Sequence, residues 1–211
     1  MKRLLKFCFY LSVVIGFSSA MAGSYEDFFR AVNVNNAGTV QELLARGFDP
    51  NSPGEKGQTG LFLALRDDSP KVAAALLADA RTAVDTANAS GETPVMMAAL
   101  RGNVEWTARL LERGAQLNRS GWNALHYAAT GPGTALVTML LARGAVIDAA
   151  SPNGSTALMM AARYGPEDTV NLLLTRGASL AARNIQGLSA VDFARLGGRD
   201  KLAARLAATP N

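Results

Sequence analysis

His126 is the single histidine of the 211-residue chain, so any histidine-based chemistry must be sought there. It stands in Asn123-Ala124-Leu125-His126-Tyr127-Ala128-Ala129. Nucleophilic catalysis needs a hydroxyl or thiol on one side of the imidazole and an orienting acid on the other. The chain has no Gly-x-Ser-x-Gly elbow, and its one cysteine, Cys8, lies near the N-terminus. A zinc site built on several histidines is excluded by count. Gly131-Pro132-Gly133 lacks the third glycine and the preceding strand of a dinucleotide-binding loop, and reads as a turn between helices. The carboxylates Glu55, Asp67, Asp68 and Glu92 are scattered over loop positions without a matched partner, as on a solvated surface. The expectation is therefore no catalytic residue, no metal and no cofactor.

The first 22 residues form a separate segment. Lys2, Arg3 and Lys6 precede an apolar run from Phe7 to Phe17, and Ala20-Met21-Ala22 ends it. This is the order of a cleavable signal peptide, with cleavage expected before Gly23. The run is shorter than the ~20 residues of a membrane span. Cleavage would remove Cys8, leaving a chain without a thiol, which suits an oxidising compartment. It would also leave 18 basic against 17 acidic residues. The pI of 9.5 thus owes much to the leader, and a nucleic-acid footprint, which needs clustered basic charge, is not expected. The reading is a periplasmic or secreted, monomeric protein with no membrane attachment after cleavage.

The remainder repeats itself. Leucine pairs or their counterparts begin at Leu43, Leu76, Leu110, Leu140 and Leu173, spaced by 33, 34, 30 and 33 residues. Twelve residues before each stand Ala31, Ala64, Ala98, Ala128 and Ala161, and Ala194 stands likewise before Leu206. A period of this length marks stacked supersecondary units. Each unit opens on a capping residue, as in Thr59-Gly60, Thr93-Pro94, Thr156-Ala157 and Ser189-Ala190, where a side-chain oxygen can accept from a free backbone N–H and proline suits the first helical position. Alanines in the next turn allow close helix approach. A second helix carries Val104, Trp106, Leu110 and Leu111 at helical spacing and ends at Arg113-Gly114, with glycine for the left-handed turn. One such hairpin cannot bury its apolar face alone, so the next copy must cover it.

Gly91-Glu92-Thr93-Pro94-Val95-Met96-Met97-Ala98-Ala99, Gly121 to Ala129, Gly154 to Ala162, and Leu110 to Gly114 with Ala115 and Asn118 strongly resemble the ankyrin repeat. The resemblance implies an all-α ankyrin-repeat solenoid of about six helix-turn-helix units with loop fingers, at about 24–55, 56–88, 89–119, 120–151, 152–184 and 185–208. It gives His126 a structural task, bonding backbone groups and tying adjacent units together. Some positions depart from the pattern. Seven positions separate Asn118 from Leu125 where ten separate Asp148 from Leu158, so the finger between the third and fourth units should be blunted. Ser24 and Asp27 suggest a capping box in the first unit, where Asn35 stands in place of the usual glycine. Met96, Met159 and Trp106 read as core, whereas Met97 and Met160, one step round their helices, are expected to be partly accessible.

The resemblance further implies a non-catalytic module that binds another protein through a concave face and its loop tips. Family contact positions fall here on Arg66, Asp67, Leu100, Arg101, Thr130, Arg163 and Tyr164, and at loop tips on Lys56, Gln58, Ser90, Glu92, Trp122, Asn153, Ser155 and Gln186. The candidate binding set is Arg66, Asp67, Arg101, Trp122, Thr130, Asn153, Arg163 and Tyr164, with Trp122 as aromatic anchor. Export to the periplasm and binding of a partner there is the leading functional reading. A secreted effector acting on a host protein is the alternative, and a hydrolase with an unrecognised carboxylate site is a third.

Overall fold

The computed structural model describes residues 23–209; the expected leader at 1–22 lies outside the described residues. Helices and turns account for most of the described residues, with no strand among them. Two compact units divide it, one up to Ala83 and one from Val84 onward.

The first unit holds α1 (residues 23–33), α2 (Ala37–Ala45), α3 (Gly60–Arg66) and α4 (Pro70–Ala78), with a short 3-10 turn at Glu55–Gly57. Phe28, Val40, Leu61, Phe62, Val72 and Leu76 are fully buried at its centre. Asn36 starts α2 by accepting from the Thr39 N–H at 3.2 Å, and Thr59 starts α3 by accepting from the Phe62 N–H at 3.3 Å. Ser69, which precedes α4, makes no capping bond. Asn35 does that work from a distance, its side-chain oxygen accepting from the Val72 N–H at 3.1 Å. Asn35 also takes the left-handed backbone, at φ 53°, a conformation asparagine tolerates better than most residues. The expected Ser24–Asp27 capping box falls at the first residues described for α1. Ser24 is already inside α1, and Asp27 pairs with Arg30 one turn on, at 3.2 Å.

The second unit contains four helix pairs: α5 (Pro94–Leu100) with α6 (Val104–Glu112), α7 (Ala124–Ala128) with α8 (Ala135–Ala142), α9 (Ala157–Tyr164) with α10 (Glu167–Thr175), and α11 (Ala190–Leu196) with α12 (Asp200–Ala207). The first helices form an inner row in which α7 meets both α5 and α9, and α9 meets α11. The alanine pairs of this row are buried, and so are Leu110, Leu140, Leu173 and Leu206 in the second helices. Their following leucines, Leu111, Leu141 and Leu174, are half-buried, so one leucine of each pair fills the core and the next lies at its margin. Met96, Met159 and Trp106 are buried as expected, but Met97 is buried too, at 3% exposure. α5 packs against both α6 and α7, and Met97 is covered where Leu100, one turn on, is exposed.

Backbone closeness holds the row together. A Cβ on Gly165 would stand 2.1 Å from the Ala129 carbonyl oxygen, and one on Gly197 would stand 2.6 Å from that of Arg163. Each turn thus rests on the C-terminal end of the preceding first helix. Arg199 secures the last pair, its Nη1 donating to the carbonyls of Ala161, Ala162 and Gly165 at 3.0, 3.0 and 2.7 Å. Those carbonyls belong to the last turn of α9 and its cap, and that of Ala161 is shared with the Gly165 N–H.

The loops between pairs follow one design with one exception. At 88–92, 151–155 and 184–188 a tight hairpin closes, with Asn88, Ser151 and Asn184 donating their N–H to Glu92, Ser155 and Leu188 carbonyls at 2.8, 2.9 and 3.0 Å. No such bond closes the shorter loop across 118–123 among the described residues.

Candidate functional site

The short loop leads into α7 through Asn123, whose side-chain oxygen accepts from the Leu125 and His126 N–H groups at 3.1 and 3.3 Å. That cap fixes His126, which is 1% exposed. Its Nε2 donates to the Ser155 carbonyl at 3.0 Å, while Nδ1 faces the Asn123 side chain at 2.9 Å and accepts from the Asn123 N–H at 3.4 Å. Burial lowers the His126 pKa from its ordinary 6.5, with the bond to the Ser155 carbonyl acting in the opposite sense. The imidazole is therefore neutral and engaged on both nitrogens, joining one repeat to the next as the resemblance implied.

Trp122 lies beside it. Its ring meets His126 edge-on at 5.3 Å between centroids and Tyr127 at 6.4 Å. The Tyr127 hydroxyl donates to a Glu92 carboxylate oxygen at 2.8 Å, and the other oxygen accepts from the Asn88 amide at 2.8 Å. Burial first, and the bond to the Glu92 carboxylate second, push the Tyr127 pKa up, so the hydroxyl keeps its proton.

These side chains line one wall of an open cleft of about 470 Å³, bounded by Leu100, Trp122, His126, Tyr127, Thr130, Met160 and Tyr164. Leu100 is 40% and Tyr164 57% exposed, large apolar groups in the open at the ends of α5 and α9. The lining is mostly apolar with a few fixed polar groups, the usual make-up of a binding site of this size. The Thr130 hydroxyl is spent on the Tyr127 carbonyl, at 2.8 Å. No cluster of three or more His, Cys, Asp or Glu fit to hold a metal occurs among the described residues. With its imidazole neutral and the Tyr127 and Thr130 hydroxyls engaged, the cleft presents a mainly apolar surface.

The structure gathers part of the candidate set. Trp122, Thr130 and Tyr164 line the cleft. Arg163 stands at its edge, its guanidinium 5.0 Å over the Tyr164 ring. Arg101 is exposed and follows Leu100 at the end of α5. Asn153 is exposed, but its side-chain oxygen already accepts from the Ser151 hydroxyl and the Ser155 N–H at 2.5 and 3.2 Å, shaping its own hairpin. Arg66 and Asp67 belong to the first unit and grip one another, with two bonds of 2.7 Å. Arg66 also donates to Gln58 at 3.0 Å, on the wall of a more polar recess of about 420 Å³ that includes Tyr25, Phe29 and Lys56. Met160 and Tyr127 are cleft residues absent from the candidate set. Met160 is half-buried, as its offset from the core column foretold, whereas the ring of Tyr127 looks like an ordinary helix residue until Glu92 is seen to hold it.

No helix among the described residues is long and apolar enough to cross a membrane. Residues 28–120, 74–151 and 116–184 match the family model described as ankyrin repeats, three copies. Among curated proteins, the chain is 29% identical over 185 residues to protein glp-1 of Caenorhabditis elegans, a match covering 80% of this chain and 14% of that one. It is 32% identical over 133 residues to the B-cell lymphoma 3 protein homolog of Mus musculus, covering 60% of this chain and 30% of that one. The chain thus spans less than a third of the length of either relative. Among solved structures, it matches a chain from the predatory endopeptidase of Bdellovibrio bacteriovorus in complex with an immunity protein, with TM-score 0.71 and 24% identity over 87% of this chain and 98% of that one. That likeness is one of fold.

Proposed function

The chain belongs to the ankyrin-repeat family, and from that premise we propose that it is a non-catalytic module, exported to the periplasm, that binds another protein through the cleft face of its second unit. The observation that carries the reading is the open cleft, with Leu100 and Tyr164 exposed beside Trp122. Large aromatic side chains at a desolvatable centre are where binding energy concentrates. The absence of catalysis is supported by His126, whose two ring nitrogens are already taken by backbone groups, the Ser155 carbonyl and the Asn123 N–H. Export is supported by Lys2, Arg3 and Lys6 before the apolar run and by Ala20-Met21-Ala22 after it.

Affinity purification with the chain from Gly23 onward, applied to a periplasmic fraction, tests the binding reading. One protein should be recovered by the wild-type chain and lost with Trp122→Ala and with Tyr164→Ala. Recovery that is indifferent to both substitutions would place binding elsewhere. N-terminal sequencing of the chain isolated from the same fraction tests export, with Gly23 expected as the first residue.

A further inference from the structure

We propose that the cleft takes a polypeptide segment that inserts one large apolar side chain and sets a neighbouring carboxylate against Arg163; this rests on the cleft face being the protein-binding face. The lining contains no carboxylate, lysine or arginine. Its polar groups are mostly committed: His126 to Ser155 and Asn123, Thr130 to the Tyr127 carbonyl, and Tyr127 to Glu92. A polar side chain entering here would give up water for few new partners, which is costly. An apolar one loses nothing and buries Leu100, Trp122, Met160 and Tyr164.

The charge at the cleft's borders supplies the second half. Arg163 lies over the face of Tyr164 and takes no part in the ion pairs formed among the described residues. A guanidinium stacked on a ring keeps its in-plane donors available for a carboxylate. On the wall of Tyr127 stands the opposite charge, Glu92, with both oxygens already accepting hydrogen bonds. A partner carboxylate near Glu92 is repelled and one near Arg163 is attracted, so the pair of charges fixes the direction in which the segment lies.

A library of random short peptides displayed on phage, selected against the whole chain from Gly23, tests this. The enriched sequences should carry Phe, Leu, Trp or Met beside Asp or Glu. One such peptide, synthesised, is then titrated by fluorescence anisotropy against the wild type, Met160→Asp and Arg163→Glu, each first checked for native helical circular dichroism. Both substitutions should weaken it by about tenfold or more, and replacing the peptide's acidic residue by its amide should erase the effect of Arg163→Glu. Enriched peptides that compete with one another and respond to Met160→Asp, yet show no acidic preference, overturn the proposal while leaving the cleft as the protein-binding site. Peptides indifferent to Met160→Asp overturn both, as does a library from which nothing is enriched.

Discussion

His126 shows how a side chain that resembles a reactive group serves the fold. Its pKa is lowered by burial, so the folded chain refuses a proton that the unfolded chain accepts below its ordinary 6.5. Stability from this group is therefore fully present above pH 6.5 and is lost as pH falls below that value toward the depressed folded pKa. Thermal melts across mildly acidic pH should show the midpoint dropping with acidity, and His126→Gln should show a shallower drop over that window, from a wild-type stability reduced by about 1 kcal/mol. Asp192 titrates separately: the Ser189 hydroxyl and N–H, ahead of Arg195, hold it below the usual carboxylate range, so its contribution disappears only in stronger acid. The task of His126 was legible from its place in the motif. The reach of Asn123, which fixes the ring through a cap, was not, because asparagine at that position is equally a plain loop residue. Asn153 carries a task the sequence did not show: its side-chain oxygen closes the hairpin that displays it, and the residue stays exposed.

Helices and turns were largely readable, since the spacing of alanine and leucine states which faces must be covered. The turns hide their constraints better. Gly165 has an ordinary negative φ of −91°, so its own backbone conformation does not demand glycine. The demand comes from the Ala129 carbonyl, 2.1 Å from where a Cβ would stand. Gly165→Ala is expected to destabilise by about 3 kcal/mol, the upper range for forced overpacking, read as a lower urea midpoint. Gly91→Ala, with open space around it but φ +79°, should cost less, about 1 kcal/mol. Arg199 is likewise unremarkable in sequence, yet it feeds three carbonyls at the end of α9. Arg199→Ala should cost about 2 kcal/mol, and Arg199→Lys should restore only part of it, because an ammonium lacks the planar fork.

For the chain as a whole, every residue lining the cleft, and each hydrogen bond that fixes it, lies in the unit beginning at Val84. A fragment from Val84 to Asn211 should remain helical by circular dichroism and should bind the same peptide as the longer chain. Loss of binding with helicity retained would mean that the first unit takes part in recognition. The all-helical repeat was legible because one period governs the whole chain, whereas the cleft depended on where the period falters. The loop at 118–123 is short, and no hairpin closes it. If the cleft is the binding face, as proposed, recognition here is subtractive, set by the shortness of one loop. Inserting Pro-Asn-Gly between Ser120 and Gly121, copied from the neighbouring repeat, should roof over Trp122 and silence the protein without altering any side chain that does the gripping. Length, tuned one loop at a time, is then as heritable a vocabulary for partner choice as residue identity.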